Sequence, residues 1–220
     1  MRNVGLIDLE HIYIISSLLY YNIIGVCQMN VLGISGTPRK GGNSEILLEA
    51  SLEPFYNKKW NVTKLFLSNI NVNPCIGCDI CIEKGYCNIN DDMEKIYTAY
   101  NEFDAIIISS PSYYRNVPAQ LKAIFDRTYA VKNKNIFKGK LGGAIAVGRG
   151  SSGGQSIVLN IIYNFFLSCG IICVPGELNG VHAVADKIGE IRNQPKRMNQ
   201  AKILGENIIE YIGYRKKGME

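Results

Sequence analysis

Asn30-Val31-Leu32-Gly33-Ile34 runs straight into Ser35-Gly36-Thr37-Pro38-Arg39-Lys40-Gly41-Gly42-Asn43-Ser44, and this junction decides the fold. The first segment is a short apolar run of the kind that forms a buried strand. The second is a loop of small and hydroxylated residues, and the helix-like segment Asn43 to Leu52 follows, with Asn43 or Ser44 as its cap. A strand, a glycine-rich loop and a helix in that order make half of a βαβ unit.

The unit recurs along the chain. Val62 to Leu67 alternates like a strand, and Asp91 to Phe103 reads as an amphipathic helix whose two leading acids suit a helix N-terminus. Asp104-Ala105-Ile106-Ile107-Ile108-Ser109 is a continuous apolar run, as expected of a central parallel strand. A helix opens at Pro118, where a first-turn proline fits, and runs to about Tyr129. Leu141 to Val147 is a fourth strand, Gln155 to Ser168 a helix, Ile171 to Pro175 a fifth strand, and Lys196 to Tyr214 a closing helix. Strands that alternate with helices predict an α/β fold with a doubly wound, five-stranded parallel sheet. The expected strand order is the flavodoxin-like one, 2-1-3-4-5.

In such a sheet, ligands bind at the carboxyl ends of the strands, near the point where strand order reverses. Three loops should meet there. In the loop from Ser35 to Ser44, small residues let the backbone curl round a phosphate, while hydroxyls and helix N–H groups donate to it. It matches neither the dinucleotide fingerprint nor the Walker pattern, but Arg39 and Lys40 favour a bound anion over a plain turn. The loop Ser110-Pro111-Ser112-Tyr113-Tyr114-Arg115-Asn116-Val117-Pro118 offers two tyrosines to pack a flat ring and Asn116 as a polar edge. The loop Gly148-Arg149-Gly150-Ser151-Ser152-Gly153-Gly154-Gln155 permits close backbone approach to a ligand. Each loop has a bland reading as a turn, an edge cover or a mobile surface segment. Their convergence favours a cofactor site.

Four of the seven cysteines, Cys75, Cys78, Cys81 and Cys87, follow strand 2 with the spacing C-x2-C-x2-C-x5-C. Thiols this closely spaced make a poor disulfide framework and a good metal site, which places the chain in a reducing, intracellular compartment, the cytoplasm. Four thiolates suit a [4Fe–4S] centre. Structural zinc, and thiols that stay reduced or switch with redox state, are the alternatives. The other cysteines are scattered. A net charge of +5 from 24 basic and 19 acidic residues, with no Lys/Arg block, argues against nucleic acid as a partner and suits an acidic electron carrier weakly.

Residues 1–28 stand apart as an extension. Ile12 to Val26 is apolar but too short for a membrane span, and the segment lacks the features of a secretory signal. The plainest reading is a start assigned too early, with Met29 as the beginning of a domain that runs to residue 220. A peripheral or partner-docking helix is the other reading.

The loop at 35–44, the Ser110-Pro111-Ser112-Tyr113 stretch with Leu121-Lys122 and Asp126-Arg127 beyond it, and the Gly-Gly-Gln turn resemble the NADPH-dependent FMN reductase superfamily. With the cysteine motif added, the chain from about Asn30 onward resembles the archaeal iron–sulfur flavoproteins. That resemblance implies FMN and one [4Fe–4S] cluster per subunit, in a homodimer or homotetramer. It implies Ser35, Thr37, Arg39, Asn43 and Ser44 at the FMN phosphate. It places Pro111, Ser112, Tyr113, Tyr114, Asn116, Gly148, Gly153, Gly154 and Gln155 along the isoalloxazine ring, and Cys75, Cys78, Cys81 and Cys87 on a cluster within a loop at 72–90.

The function expected from all this is electron transfer from a reduced carrier such as ferredoxin, through the cluster to FMN, and on to oxygen, peroxide or a quinone. No acid–base residue is nominated, and the lone His182 reads as structural. Asp126-Arg127 reads as a helix-surface pair fixing the loop above it. Two alternatives are an NAD(P)H-dependent FMN or quinone reductase without a cluster, and a non-enzymatic redox or metal sensor. No membrane partner is expected.

Overall fold

A computed structural model describes residues 28–217. The expectation of an extension over residues 1–28 therefore lies, but for Gln28, outside the described residues. Strand β1 (Asn30–Ser35) leads into helix α1 (Asn43–Asn57), which is longer than expected and continues through Pro54. Strand β2 (Asn61–Phe66), the short helix α2 (Ile80–Lys84) and helix α3 (Met93–Tyr100) follow. Strand β3 (Ala105–Pro111) precedes helix α4 (Ala119–Arg127) and a 3-10 segment (Thr128–Lys134). Strand β4 (Leu141–Gly148), helix α5 (Gln155–Cys169), strands β5 (Ile172–Cys173) and β6 (Val181–Val184), and helix α6 (Pro195–Lys217) complete the fold.

The sheet is parallel throughout, in the order β2-β1-β3-β4-β5, as the strand pattern required. The alternation within the strands explains why both faces are covered. Leu32, Ile34, Ile106 and Ile108 point to a core with Ile96, Ile124, Ile162 and Phe166 of α3, α4 and α5. Val31, Ala105 and Ile107 point to the other face, against Leu47, Leu48 and Leu52 of α1 and Leu204 and Ile208 of α6. A period of two along fully buried strands thus divides one apolar run between two cores. Helices α1 and α6 touch most closely at Gly205, where an added Cβ would stand 2.2 Å from the Ser51 carbonyl oxygen.

The fifth strand departs from expectation. Ile171 to Pro175 contributes only the two-residue β5, which pairs with Leu141 and Gly142 at the start of β4. Val174 still donates to the Gly142 carbonyl, and beyond it the chain parts from β4. The chain leaves the sheet and returns as β6, which pairs in parallel with Ile145 to Gly148. Among the described residues the sheet therefore has six strands, with one edge position shared by two short ones. The segment after β6 is carried to the carboxyl end of the sheet, where the ligand loops lie.

Candidate functional site

A cavity of about 510 Å³ opens over the carboxyl ends of β1, β3 and β4, within the range of roughly 300–1,000 Å³ usual for small-molecule sites. Of the residues expected there, Thr37, Arg39, Asn43, Ser44, Pro111, Ser112, Tyr113, Tyr114 and Gly148 line it. The start of α1 forms one wall. Its first three N–H groups, on Asn43, Ser44 and Glu45, make no hydrogen bond among the described residues, because the first intrahelical bond is from Ile46 to Gly42. Unused amide donors at the positive end of a helix are suited to an anion. Thr37 is buried at the same end, and Ser35 presents a buried hydroxyl without a partner just before it. Ser109 Oγ donates to the Ser44 carbonyl at 2.7 Å and fixes this first turn against β3.

Asn43 and Ser44 do not cap α1 as expected. Gly42 occupies the cap position and has no side chain to donate or accept; Glu45 instead accepts from the Gly41 N–H at 3.1 Å. The Asn43 side chain faces across the cleft, donating to the Lys187 carbonyl at 2.8 Å and accepting from the Ile191 N–H at 3.2 Å. It ties the start of α1 to the segment after β6.

The second wall is a tight turn. Tyr113 and Asn116 bond each other's backbones, with Tyr114 (φ 51°) and Arg115 (φ 65°) between them in the left-handed region. Two consecutive non-glycine residues in that region are strained, a feature that concentrates at ligand sites. The turn leaves the Tyr114 ring fully exposed beside the cavity mouth. Asn116 does not line the cavity; its side chain accepts from the Val117 N–H at 2.8 Å and closes the turn.

The third wall is held from behind. Gln155 is buried and donates to the carbonyls of Gly150 (2.8 Å) and Ala183 (3.2 Å), and Ser112 Oγ donates to the Gly153 carbonyl. Gly153, Gly154 and Gln155, expected along the ring, thus support the loop instead of lining the cavity. Gly154 (φ +86°) packs against Arg115, where a Cβ would meet the backbone at 2.9 Å. Ala185, Asp186 and Ile188 also line the cavity, and the exposed Asp186 pairs with Arg149 at 2.6 Å across its rim. Sequence reasoning missed these three with β6; the alternating Val181 to Val184 run was the available signal. His182 lies exposed on β6.

The four clustered cysteines lie in the loop between β2 and α3 and share the wall of a second cavity of about 380 Å³. Cys75 and Cys78 are exposed, Cys81 and Cys87 half-buried, and all four are free thiols. Two left-handed residues, Asp79 (φ 57°) and Gly85 (φ 69°), bracket α2 and fold the loop back on itself. Among the described residues, no three Cys, His or acidic side chains are arranged to hold a metal ion. Burial pushes the Cys81 thiol up, and the neighbouring thiols of Cys87, Cys78 and Cys75 add to the rise.

Arg127 and Asp91 hold the neck of this loop. The Arg127 side chain is 1% exposed and the Asp91 side chain 4%, and their ion pair is 2.6 Å long. One terminal nitrogen of Arg127 also donates to the Asn73 carbonyl (3.1 Å), and the other to the Ile89 carbonyl (3.1 Å). Asp91 accepts from the Asn73 N–H (2.8 Å) and the Met93 N–H (3.0 Å). Despite its burial, these donors, Arg127 first, hold the Asp91 carboxyl at about 2, well below the usual range. The expectation of a surface pair between Asp126 and Arg127 is thereby corrected. Asp126 pairs with exposed Lys122 one turn back, while Arg127, next in sequence, points inward to the buried Asp91 carboxylate. Helical spacing places adjacent residues on different faces.

A doubly wound parallel sheet, with a cleft at its switch point walled by a helix start, is the architecture of a flavodoxin-like protein. The chain belongs to the NADPH-dependent FMN reductase family, whose model matches residues 29–185. It is 36% identical over 193 residues to an iron–sulfur flavoprotein of Methanocaldococcus jannaschii, covering 86% of this chain and all of that one. It is 40% identical over 147 residues to an iron–sulfur flavoprotein of Methanosarcina thermophila, covering 66% of this chain and 77% of that one. Among solved structures, the WrbA-like flavodoxin of Agrobacterium tumefaciens superposes with a TM-score of 0.61 at 15% identity, over 84% of this chain and 96% of that one. The protein is a flavin-dependent oxidoreductase, and FMN is the flavin of its family. No helix among the described residues is long and apolar enough to cross a membrane.

Proposed function

We propose that this chain carries FMN in the first cavity and an iron–sulfur cluster, [4Fe–4S], on Cys75, Cys78, Cys81 and Cys87, and passes electrons from a one-electron carrier to a small acceptor. The observation that carries the reading is the placement of all four cysteines on one cavity wall, together with a separate cleft whose helix start offers unused anion donors. The donor set suits a cluster: four thiols, no disulfide, and a buried guanidinium N–H in the same wall without an acceptor.

When bound, the cluster supplies one-electron and the flavin one- or two-electron exchange, so the chemistry belongs to the cofactors. The protein's part is to bind and orient. The first-turn amides of α1, with Thr37 and Arg39, hold the phosphate; Ser35 sits behind them with a free hydroxyl. Tyr113, Tyr114 and Gly148 line the cavity where the ring would be held. The donor we favour is a ferredoxin-like carrier: Lys84, Lys132 and Lys134 are exposed around the cysteine loop, where an acidic protein would dock. Oxygen, peroxide or a quinone would accept. A homodimer or homotetramer is supported by α5, which leaves Ile157 and Leu167 uncovered.

The family's own description supports a second reading, an NAD(P)H-dependent FMN or quinone reductase that needs no cluster. Membership of an oxidoreductase family sets aside the purely non-enzymatic sensor. Anaerobic purification followed by iron, sulfide, zinc and flavin analysis decides between the first two. About four iron and four sulfide per chain, with flavin, is the expected result. Flavin without iron, and rapid bleaching by NADPH alone, would establish the simple reductase. Zinc in place of iron would overturn the cluster.

A further inference from the structure

Arg127 is fully enclosed and yet belongs to the wall of the cysteine cavity. Its two terminal nitrogens are committed to Asn73, Asp91 and Ile89. Asn73 lies two residues before Cys75 and Ile89 two residues after Cys87, so one guanidinium joins both ends of the cluster-binding loop. The remaining nitrogen, Nε, is buried and has no hydrogen-bond partner among the described residues. Besides Asp91, the polar side chains close to Arg127 are Cys87, with which it shares the cavity wall, and Tyr97, whose hydroxyl donates to the Arg127 carbonyl. A buried N–H without an acceptor is costly and uncommon in a folded protein, and calls for an explanation. A sulfur carrying negative charge is an acceptor of the right kind.

We propose that Arg127 is a positioning residue for the iron–sulfur cluster: it fixes the span of the cysteine loop, and its buried charge and Nε–H make the cluster easier to reduce. This rests on the reading that Cys75, Cys78, Cys81 and Cys87 hold a cluster. Four thiolate ligands make such a centre anionic, and taking up an electron adds a further negative charge. A fixed cation and an N–H in the wall of that cavity both stabilise the reduced form, and these are the levers by which proteins set cluster potentials. Asp91 opposes part of that effect, but its charge is spread over the N–H groups of Asn73 and Met93 as well as Arg127. The pair therefore leaves Arg127 as the group facing the cysteines. A purely structural clasp would need both members of the pair equally and would have no sign.

The sign supplies the test. Wild-type protein and the variants Arg127→Gln, Asp91→Asn and Lys122→Gln are purified anaerobically, analysed for iron and sulfide, and titrated potentiometrically with detection of the reduced cluster by electron paramagnetic resonance. At the wild-type midpoint, the reduced-to-oxidised ratio is expected to fall about tenfold in Arg127→Gln, a shift of about 59 mV for one electron. It is expected to rise in Asp91→Asn, where the cation remains and its counter-ion is lost. Lys122→Gln removes an exposed cation from the same helix and should leave the ratio unchanged. If Arg127→Gln does not fold, the rise in Asp91→Asn still decides. Unchanged ratios in loaded Arg127 and Asp91 variants, shifts of the same sign, or loss of iron from both variants would overturn the role in reduction and leave only a clasp. Wild-type protein without iron and sulfide would overturn the cluster reading itself, and this inference with it, before any variant is compared.

Discussion

Asp91 and Arg127 show how much a single side-chain direction decides. The folded Asp91 carboxyl is held at about 2, below its value of about 3.9 in an unfolded chain. A depressed carboxylate contributes stability that is present above the unfolded value and is lost as pH falls through the folded one. Between about pH 4 and pH 2 the wild type should therefore lose about 2 kcal/mol that Asp91→Asn does not lose. Denaturant midpoints measured from pH 6 to pH 2 check this: parallel curves for the two proteins would show that the pair contributes nothing. At the other cavity, Arg39→Ala should weaken FMN about ten- to a hundredfold, the value of one charge-assisted hydrogen bond. Thr37→Val should weaken it only severalfold. Both are measured by quenching of flavin fluorescence, and an unchanged affinity in Arg39→Ala would remove that residue from the phosphate site.

Elements, more than individual residues, bring the walls of the cleft together. The loop after β4 is shaped by Gln155 at the start of α5, whose amide reaches back to Gly150 and across to Ala183 on β6. Gln155→Ala should loosen flavin binding without removing a cavity-lining atom. Faster hydrogen exchange confined to residues 148–154 is the expected signature, and uniform exchange would refute it. The two faces of the sheet depend on helices that approach closely, and Gly205 marks the tightest approach. Gly205→Ala forces α6 away from α1 and should destabilise the fold by about 1–3 kcal/mol. A thermal melt within a degree of wild type would show that the helices shift at no cost.

Across the whole molecule, the two cavities share no lining residue. Cys87→Ala should accordingly abolish iron while leaving a flavin content near that of wild type, measured by metal analysis and absorption on one sample. Loss of both would show that the sites fold as one unit.

Strand order, the two cores and the position of the cleft were legible in the sequence, because parallel strands buried on both faces must be apolar throughout and their glycine-rich loops must lie at the carboxyl ends. The cysteine spacing was equally plain. The division of the fifth strand was not, since it depends on where the chain parts from β4, whose last bonded carbonyl, Gly142, lies thirty-two residues before its partner Val174. Nor were the cross-chain bonds of Gln155 to Ala183 and of Asn43, which also lines the cavity, to Lys187 and Ile191. The inward turn of Arg127 is the clearest case. Composition and spacing determine which residues can carry charge, phosphate or metal, because those are properties of the side chain itself. Which of them face each other depends on contacts between residues far apart in the chain, 36 positions for Arg127 and Asp91, and only tertiary packing decides that.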